Sequence, residues 1–120
     1  MNYREARACI DESVRFGHAM GLEAISLLLD RMAHPEESLR FVHIAGTNGK
    51  GSTSKMIAAV LKSAGYKTGL FISPYIIDFR ERIQIDNKMI EKESLAKCVE
   101  ETYPLLEELK KQGVIITEFE

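Results

Sequence analysis

Gly46–Ser52 reads Gly-Thr-Asn-Gly-Lys-Gly-Ser and is the most informative segment of the chain. The apolar run Phe41–Ala45 leads directly into it and is typical of a buried strand. After it, apolar residues between positions 50 and 64 fall on one face of a predicted helix. A loop between a strand and a helix gathers backbone N–H groups at the helix amino terminus, where they attract anions. The segment therefore predicts a phosphate-binding loop.

The residue types of this loop fit that role. Its three glycines let the backbone approach an anion closely, Lys50 supplies charge for the β- and γ-phosphates, and Ser52 and Thr53 offer hydroxyl groups. Lys50 is the predicted catalytic residue, and the predicted ATP-binding residues are Gly46, Thr47, Asn48, Gly49, Lys50, Gly51, Ser52 and Thr53. The match to G-x-x-x-x-G-K-[ST] is imperfect, because Ile44 stands at the first glycine and Gly51 follows the lysine. A glycine-rich turn without a ligand is the alternative interpretation.

A second short apolar strand, Thr68–Ile72, ends at Ser73-Pro74. Strand, loop, helix and strand make a βαβ unit, which predicts two parallel strands with a right-handed crossover. The predicted fold class is therefore α/β, with a mainly parallel sheet flanked by helices. Alternation of polar and apolar residues over Arg82–Ile85, followed by the turn-forming residues 86–88, predicts a hairpin into Met89-Ile90.

Helical patterns dominate both ends of the chain. Asn2 and Glu5 form a candidate capping pair for a first helix, and apolar spacing from Leu22 to Met32 predicts a second. A long amphipathic helix follows from Leu95 to Leu109, which Pro104 is expected to kink or divide, and residues 114–116 begin another strand. The predicted organisation is a helical lead-in (1–36), the βαβ unit (37–72), a loop and hairpin (73–90), and a helix with the start of the next strand (91–120). A chain that stops there is expected to be a truncated domain.

Composition excludes several classes of function. The chain has 120 residues and a formal charge of −2, so it offers no strongly basic surface for nucleic acid. No apolar run approaches the roughly 20 residues of a membrane span, and the polar start of the chain does not predict a signal peptide. Cys9 and Cys98 stand far apart without a CxxC motif, which predicts reduced thiols in a cytoplasmic protein rather than a disulfide or a zinc site.

Four segments in the same order resemble the folate branch of the Mur ligase superfamily, the folylpolyglutamate and dihydrofolate synthases. Gly46–Ser52 has the form of that branch, whereas the peptidoglycan ligases usually place Ser or Thr directly after the lysine. Residues 71–83 resemble the family segment Ser-Pro-His-Leu followed by Phe-Arg-Glu-Arg-Ile. Residues 21–23 and 117–120 resemble its Gly-Leu-Glu and Thr-x-Phe-Glu segments.

The resemblance implies a P-loop-containing, Mur-ligase-like ATP-binding domain and an ATP-dependent ligase. That ligase adds L-glutamate to a carboxylate of folate, or of dihydropteroate, through an acyl phosphate and with Mg²⁺. It also implies a full-length protein that is monomeric. In the family, further magnesium ligands and the glutamate-binding domain lie beyond the position of Glu120, so the 120 residues alone are expected to have no ligase activity.

Residue roles also follow from the resemblance. Ser73 is the implied magnesium ligand, although from the residues alone it reads as a turn residue before Pro74. The implied folate contacts are His18, Ala19, Met20, Phe79, Arg80, Arg82, Thr117, Phe119 and Glu120. A solvated charge run is the alternative interpretation of residues 80–82. Tyr75 and Ala24 stand where many relatives carry His and Arg, so no role is carried over to them.

Three other functions stay open from the sequence. A P-loop kinase or NTPase would use Lys50 for transfer to a hydroxyl group or to water. A nucleotide-binding module without enzymatic activity would bind ATP and have no acceptor site. A peptidoglycan-type amide ligase is a third possibility, which Gly51 disfavours.

Overall fold

A computed structural model of the chain describes residues 1–17 and 21–120. His18, Ala19 and Met20, three of the implied folate contacts, lie outside the described residues. The described chain forms two units. The first combines Met1–Arg40 with Glu93–Glu120, and the second is Phe41–Lys92.

The first unit is built from helices α1 (Tyr3–Ser13), α2 (Glu23–Arg31) and α4 (Lys92–Lys111). The predicted capping pair is present at α1, where the Asn2 and Glu5 side chains each accept from the other residue's backbone N–H group, at 3.0 and 2.8 Å. The apolar faces of these helices supply a small buried core: Ala6, Leu28, Leu95, Ala96 and Leu109. None of the helices in the described residues is long and apolar enough to cross a membrane.

Two expectations for the first unit differ from the structure. Pro104 lies inside α4 without dividing it, because a single helix runs from Lys92 to Lys111. A proline removes one backbone hydrogen bond, and the α4 residues Leu95 and Leu109, on either side of it, are buried in the core. Residues 114–116 do not form a strand. Apolar character alone predicted that strand, and a strand also needs a paired neighbour.

The end of α2 is held by a charged cluster around His34. Ala33 and His34 both have positive φ, at 58° and 53°, so the chain reverses sharply into a short 3₁₀ turn, Pro35–Ser38. The His34 ring contacts Asp30 through Nε2 and Glu36 through Nδ1, each at 2.8 Å. The hydrogen bond to Glu36 is the main reason that the pKa of His34 is raised above its usual value. The imidazole therefore links α2 to the turn that follows it.

We predict that this contact makes stability depend on pH with a definite sign. Because the folded-state pKa of His34 is raised, its stabilisation is fully present below the unfolded-state pKa of about 6.5 and is lost as the pH rises through the folded-state pKa. The measurement is the difference in melting temperature between the protein and its His34→Asn variant, followed from about pH 5.5 to pH 9. Asparagine tolerates positive φ, so this variant removes the titration and keeps the turn. A difference that grows with pH would contradict the prediction.

The second unit contains α3 (Lys50–Ser63) and strands β1 (Gly69–Phe71), β2 (Ile83–Ile85) and β3 (Lys88–Met89). The sheet order is β1-β2-β3 and both pairings are antiparallel. The predicted hairpin is confirmed, with Asp86 and Asn87 at positive φ in a two-residue turn between β2 and β3. In β2, Gln84 lies opposite Leu70 and is buried, and its side chain donates to the Glu81 carbonyl at 2.8 Å.

The parallel βαβ pairing predicted for residues 41–45 and β1 is not present in the described residues. Residues 41–45 form no strand, and Phe41 and Val42 are 71% and 63% exposed. Their apolar run predicted a buried strand, but a strand forms only where a neighbouring backbone accepts its hydrogen bonds. The apolar face predicted for α3 is also only partly buried. Ala58 is buried beside half-buried Ile57 and Leu61, while Met56 and Val60 are exposed.

Candidate functional site

The phosphate loop ends at a helix terminus without a side-chain cap. Gly49, with φ of 77°, is the N-cap residue of α3, and its carbonyl accepts from the Thr53 N–H group at 2.9 Å. The N–H groups of the first turn of a helix have no acceptor within the helix. In the described structure no side chain caps α3 in their place. The helix therefore presents backbone donors and the positive end of its dipole to an incoming anion.

Lys50 lies across this loop. Its ammonium group donates to the carbonyl oxygen of Gly46, at the other end of the loop. Residues 46–53 are all exposed, so the predicted ATP-binding residues form one continuous accessible segment. The Ser52 and Thr53 hydroxyl groups lie in the first turn of α3, where oxygen ligands for phosphate or for a magnesium ion are useful. The structure thus brings together all eight predicted residues.

We predict opposite stability effects for two glycines of this loop. Gly49 has positive φ, so Gly49→Ala should destabilise the protein by about 1–2 kcal/mol. Gly51 lies in α3 and an added Cβ there meets no atom within 4 Å, so Gly51→Ala should stabilise it by roughly 0.5–1 kcal/mol. Equilibrium urea unfolding measures both. Equal effects of the two alanines would show that φ at Gly49 does not constrain the loop.

Ser73, the implied magnesium ligand, lies two residues after β1 and is exposed. Its hydroxyl oxygen accepts a hydrogen bond from Nη2 of Arg82 at 3.2 Å. A hydroxyl oxygen is a hard ligand of the kind that magnesium prefers. The position of Ser73, next to a sheet on which α3 packs, suits a residue that serves the same nucleotide.

Glu81 organises the loop that follows Ser73. Its carboxylate accepts the backbone N–H groups of Ile76, Ile77 and Asp78 at 2.9, 3.0 and 2.7 Å. These three bonds lower the pKa of Glu81, and the bond from Ile76 has the largest effect. Ile76 and Ile77 are each 88% exposed, so the carboxylate holds an apolar loop tip by its main chain alone.

Arg80 is occupied within the same loop. Its guanidinium group contacts the Asp78 carboxylate, at 2.8 Å from Nη2, and donates to the Ile90 carbonyl at 3.2 Å. The hydrogen bond from Arg80 is the main reason that the pKa of Asp78 is lowered. Arg80 therefore fastens the loop to the segment after β3, a role that the sequence analysis did not assign to it.

An aromatic pair completes this part of the site. Phe79 is buried, and its ring meets the Tyr75 ring edge to face, with centroids 5.7 Å apart and planes at 71°. The guanidinium carbon of Arg82 lies 5.3 Å from the Phe79 centroid and 5.7 Å from the Tyr75 centroid. The structure thus gathers Ser73, Tyr75, Phe79 and Arg82 into one cluster.

Among the described residues, the implied folate contacts of the first unit lie at its carboxyl end. Both the backbone N–H and the hydroxyl group of Thr117 donate to Oε2 of Glu120, at 2.9 and 2.7 Å, and the Phe119 N–H group donates to the Thr117 hydroxyl oxygen at 3.2 Å. Thr117 is buried, whereas Phe119 is 76% exposed. These bonds close a tight turn that presents an aromatic ring to solvent.

The roles of Asp78 and Glu81 were missed by the sequence analysis. The two residues form a capping box at the short 3₁₀ turn Phe79–Arg82. The side chain of each residue accepts a hydrogen bond from the backbone of the other. The sequence signal is an acidic N-cap residue followed three positions later by glutamate. Cys9 and Cys98 are free cysteines in the described structure, where Cys9 is half-buried and Cys98 is exposed.

We predict that Glu81→Gln loosens the loop tip. The amide loses the negative charge that three backbone donors share, so hydrogen exchange at Ile76, Ile77 and Asp78 should become at least roughly tenfold faster. Because the pKa of Glu81 is lowered in the folded protein, its stabilisation is present above the unfolded-state value and is lost as the pH falls through the folded-state pKa. Glu91→Gln, at an exposed carboxylate of the same unit, is the control and should leave these rates unchanged.

Comparisons with known proteins identify relatives of the chain. A dihydrofolate synthase/folylpolyglutamate synthase of Bacillus subtilis is 43% identical over 107 residues, which are 89% of the chain and 25% of that protein. A folylpolyglutamate synthase of Lacticaseibacillus casei is 38% identical over 122 residues, covering 100% of the chain and 28% of that protein. The chain thus spans about a quarter of the length of these curated relatives. No family model matches the chain.

Solved structures give the same result for the fold. The structure of a folylpolyglutamate synthetase from Lactobacillus casei matches the chain with a TM-score of 0.89 and 38% identity. The match covers 99% of this chain and 30% of the synthetase chain. The structure of a complex of such an enzyme with AMPPCP and folate matches the chain with a TM-score of 0.86 and 36% identity. The match covers 99% of this chain and 30% of the enzyme chain. The predicted class, a truncated α/β domain of the Mur ligase type, is confirmed.

Proposed function

We propose a function from one premise, that this chain belongs to the family of folylpolyglutamate and dihydrofolate synthases. The full-length protein is an ATP-dependent ligase that adds L-glutamate to folate or dihydropteroate. The observation that carries this proposal is the uncapped amino terminus of α3, preceded by Gly49 and covered by Lys50. Such a terminus is a ready anion site, and the relatives supply the reaction that uses it.

The main requirement that the ligase reaction places on this segment is a phosphate-binding site. A carboxylate is a poor electrophile, so the γ-phosphoryl group of ATP passes first to a carboxylate oxygen of folate, giving an acyl phosphate and ADP. The amino group of glutamate then attacks the acyl carbon, an amide bond forms, and inorganic phosphate leaves. Phosphoryl transfer of this kind depends on positioning and on charge neutralisation. The first-turn donors of α3 and the Lys50 ammonium group perform both tasks.

The residues present also fit a magnesium ion. Ser73, Ser52 and Thr53 offer exposed hydroxyl oxygens, which are suitable ligands. When bound, the ion would neutralise phosphate charge. Ser73 would hold the ion on the β1 side, and Lys50 would contact the nucleotide from the loop. Because a magnesium ion keeps several of its waters, a few protein ligands are enough.

The folate side is proposed at two places. In the second unit, Arg82 meets a carboxylate of the substrate and the ring pair Phe79 and Tyr75 shapes the surface around it. In the first unit, Phe119 offers an exposed ring for stacking and Thr117 and Glu120 hold it in place. Arg80 supports the loop through Asp78.

The cellular compartment and the oligomeric state of the protein are also part of this proposal. The two free thiols support a reducing compartment, and we place the protein in the cytoplasm. We expect a monomer. The domain boundaries proposed for this segment remain 1–36, 37–72, 73–90 and 91–120.

The experiment is glutamate ligation by the full-length protein. Phosphate release should require folate or dihydropteroate together with glutamate, and the product should be the substrate extended by one glutamate. Phosphate release without either acceptor would favour an NTPase. Binding of ATP without binding of any folate would favour a nucleotide-binding module.

We predict that Lys50→Ala lowers kcat of the full-length protein at least about 100-fold, because one cationic donor to the transferring phosphate is lost. The variant should still fold, since the Lys50 side chain is exposed and its hydrogen bond within residues 1–17 and 21–120 is to one backbone carbonyl, that of Gly46. Lys55→Ala, which removes another exposed lysine of α3, is the matched control and should retain activity. Similar rates for the two variants would remove Lys50 from the reaction.

A further inference from the structure

A histidine with three carboxylates near it lies at the end of α2, in the first unit. Asp30 belongs to the last turn of α2, and His34, Glu36 and Glu37 follow in the chain reversal and the 3₁₀ turn. The Nε2 atom of His34 is 2.8 Å from Oδ1 of Asp30, and its Nδ1 atom is 2.8 Å from Oε1 of Glu36. All four side chains are of types that bind metal ions, and none belongs to the proposed nucleotide or folate site.

Three of these residues can place ligand atoms around a single ion. One ring nitrogen of His34 and one carboxylate oxygen from each of Glu36 and Glu37 all lie within 4.8 Å of one another. Ligand atoms that share a zinc ion are about 3–4 Å apart, because each is bonded at about 2.0–2.2 Å in a tetrahedral arrangement. Small rotations of the side chains therefore suffice to bring three ligands onto one ion.

One oxygen atom of this group lacks a partner. The Oε2 atom of Glu36 is buried, and within residues 1–17 and 21–120 it has no hydrogen-bond partner. A buried polar atom of this kind costs free energy unless a further group binds it. The charge balance also favours a cation, because a protonated imidazole offsets only one of the three negative charges. A divalent ion offsets two, and it can bind the oxygen that has no partner.

Asp30 is placed to orient the imidazole ring. A metal-binding histidine usually donates its other N–H group to a carboxylate, which fixes the tautomer and the orientation of the ring. Asp30 contacts Nε2, so Nδ1 is the nitrogen that faces Glu36 and is left for the ion. The ion then takes the place of the proton between Nδ1 and the Glu36 carboxylate.

We propose that His34, Glu36 and Glu37 bind a divalent transition metal ion of the zinc type, with Asp30 as the residue that orients the imidazole. Zinc binds imidazole nitrogen and carboxylate oxygen, whereas magnesium and calcium prefer oxygen ligands alone. Three protein ligands leave one tetrahedral position to water. The His34 side chain is 41% exposed, so an ion can reach the site from solvent. The inference does not depend on the proposed function, because the nucleotide and magnesium ligands proposed above lie in the second unit.

The test is calorimetric titration of the full-length protein with zinc chloride at about pH 8, since an imidazole must lose a proton to bind the metal. Excess magnesium is present throughout, so that sites made of oxygen ligands are already occupied. The unaltered protein should bind one more equivalent of zinc than His34→Asn, a variant that tolerates the positive φ and removes the ring. The matched control is His43→Asn, which removes an exposed histidine of the second unit and should keep the full zinc stoichiometry.

Carboxylate variants check the ligand set. Glu37→Gln removes an exposed ligand, and Asp30→Asn removes the charge that orients the ring, so each should weaken zinc binding at this site at least about tenfold. Glu12→Gln, at an exposed carboxylate of the same unit, is their control and should leave the affinity unchanged. Zinc should also raise the melting temperature of the unaltered protein by more than that of His34→Asn, because the ion joins α2 to the turn after it only in the folded state.

The outcomes separate this inference from the proposed function. Equal zinc stoichiometry in the unaltered protein and in His34→Asn would overturn the metal site and leave the proposed ligase intact. An unchanged zinc affinity in Glu37→Gln would also overturn it as a three-ligand site. A protein that binds zinc through His34 and ligates no glutamate would refute the proposed function alone.

Discussion

The antiparallel pairing of β1 with β2 is the constraint on which the second unit depends. Its register sets Phe71 opposite Ile83, so the residues that follow β1 and those that precede β2 must lie side by side. Residues 73–82 are thereby closed into a loop whose two ends are fixed. Ser73 and Arg82 meet because of that closure, although nine positions separate them in sequence. Backbone pairing, which is indifferent to side chains, thus places two side chains of different chemistry together.

Parts of this arrangement were predictable because they are local. The glycines and Lys50 predicted an anion site at a helix terminus. The alternation of polar and apolar residues over Arg82–Ile85 predicted a hairpin strand. Both signals come from residues within a few positions of one another. The resemblance to a family then supplied the reaction and pointed to Ser73.

The rest could not be predicted for physical reasons. Phe41–Ala45 has the composition of a buried strand, yet composition does not state which backbone will pair with it. Glu81 looked like one charge in a charged run, because its partners are main-chain N–H groups that every residue carries. Arg80 and Arg82 are two residues apart and identical in type, and only the fold assigns one to Asp78 and the other to the aromatic pair.

The way in which Glu81 holds the loop tip has a consequence for evolution. Since its three bonds reach only main-chain atoms, the geometry of the loop is independent of the side chains at positions 76 and 77. Those two side chains point into solvent and are not needed for the fold of the loop. They are therefore free to diverge between species, or to be redesigned, on a frame that stays constant beneath them.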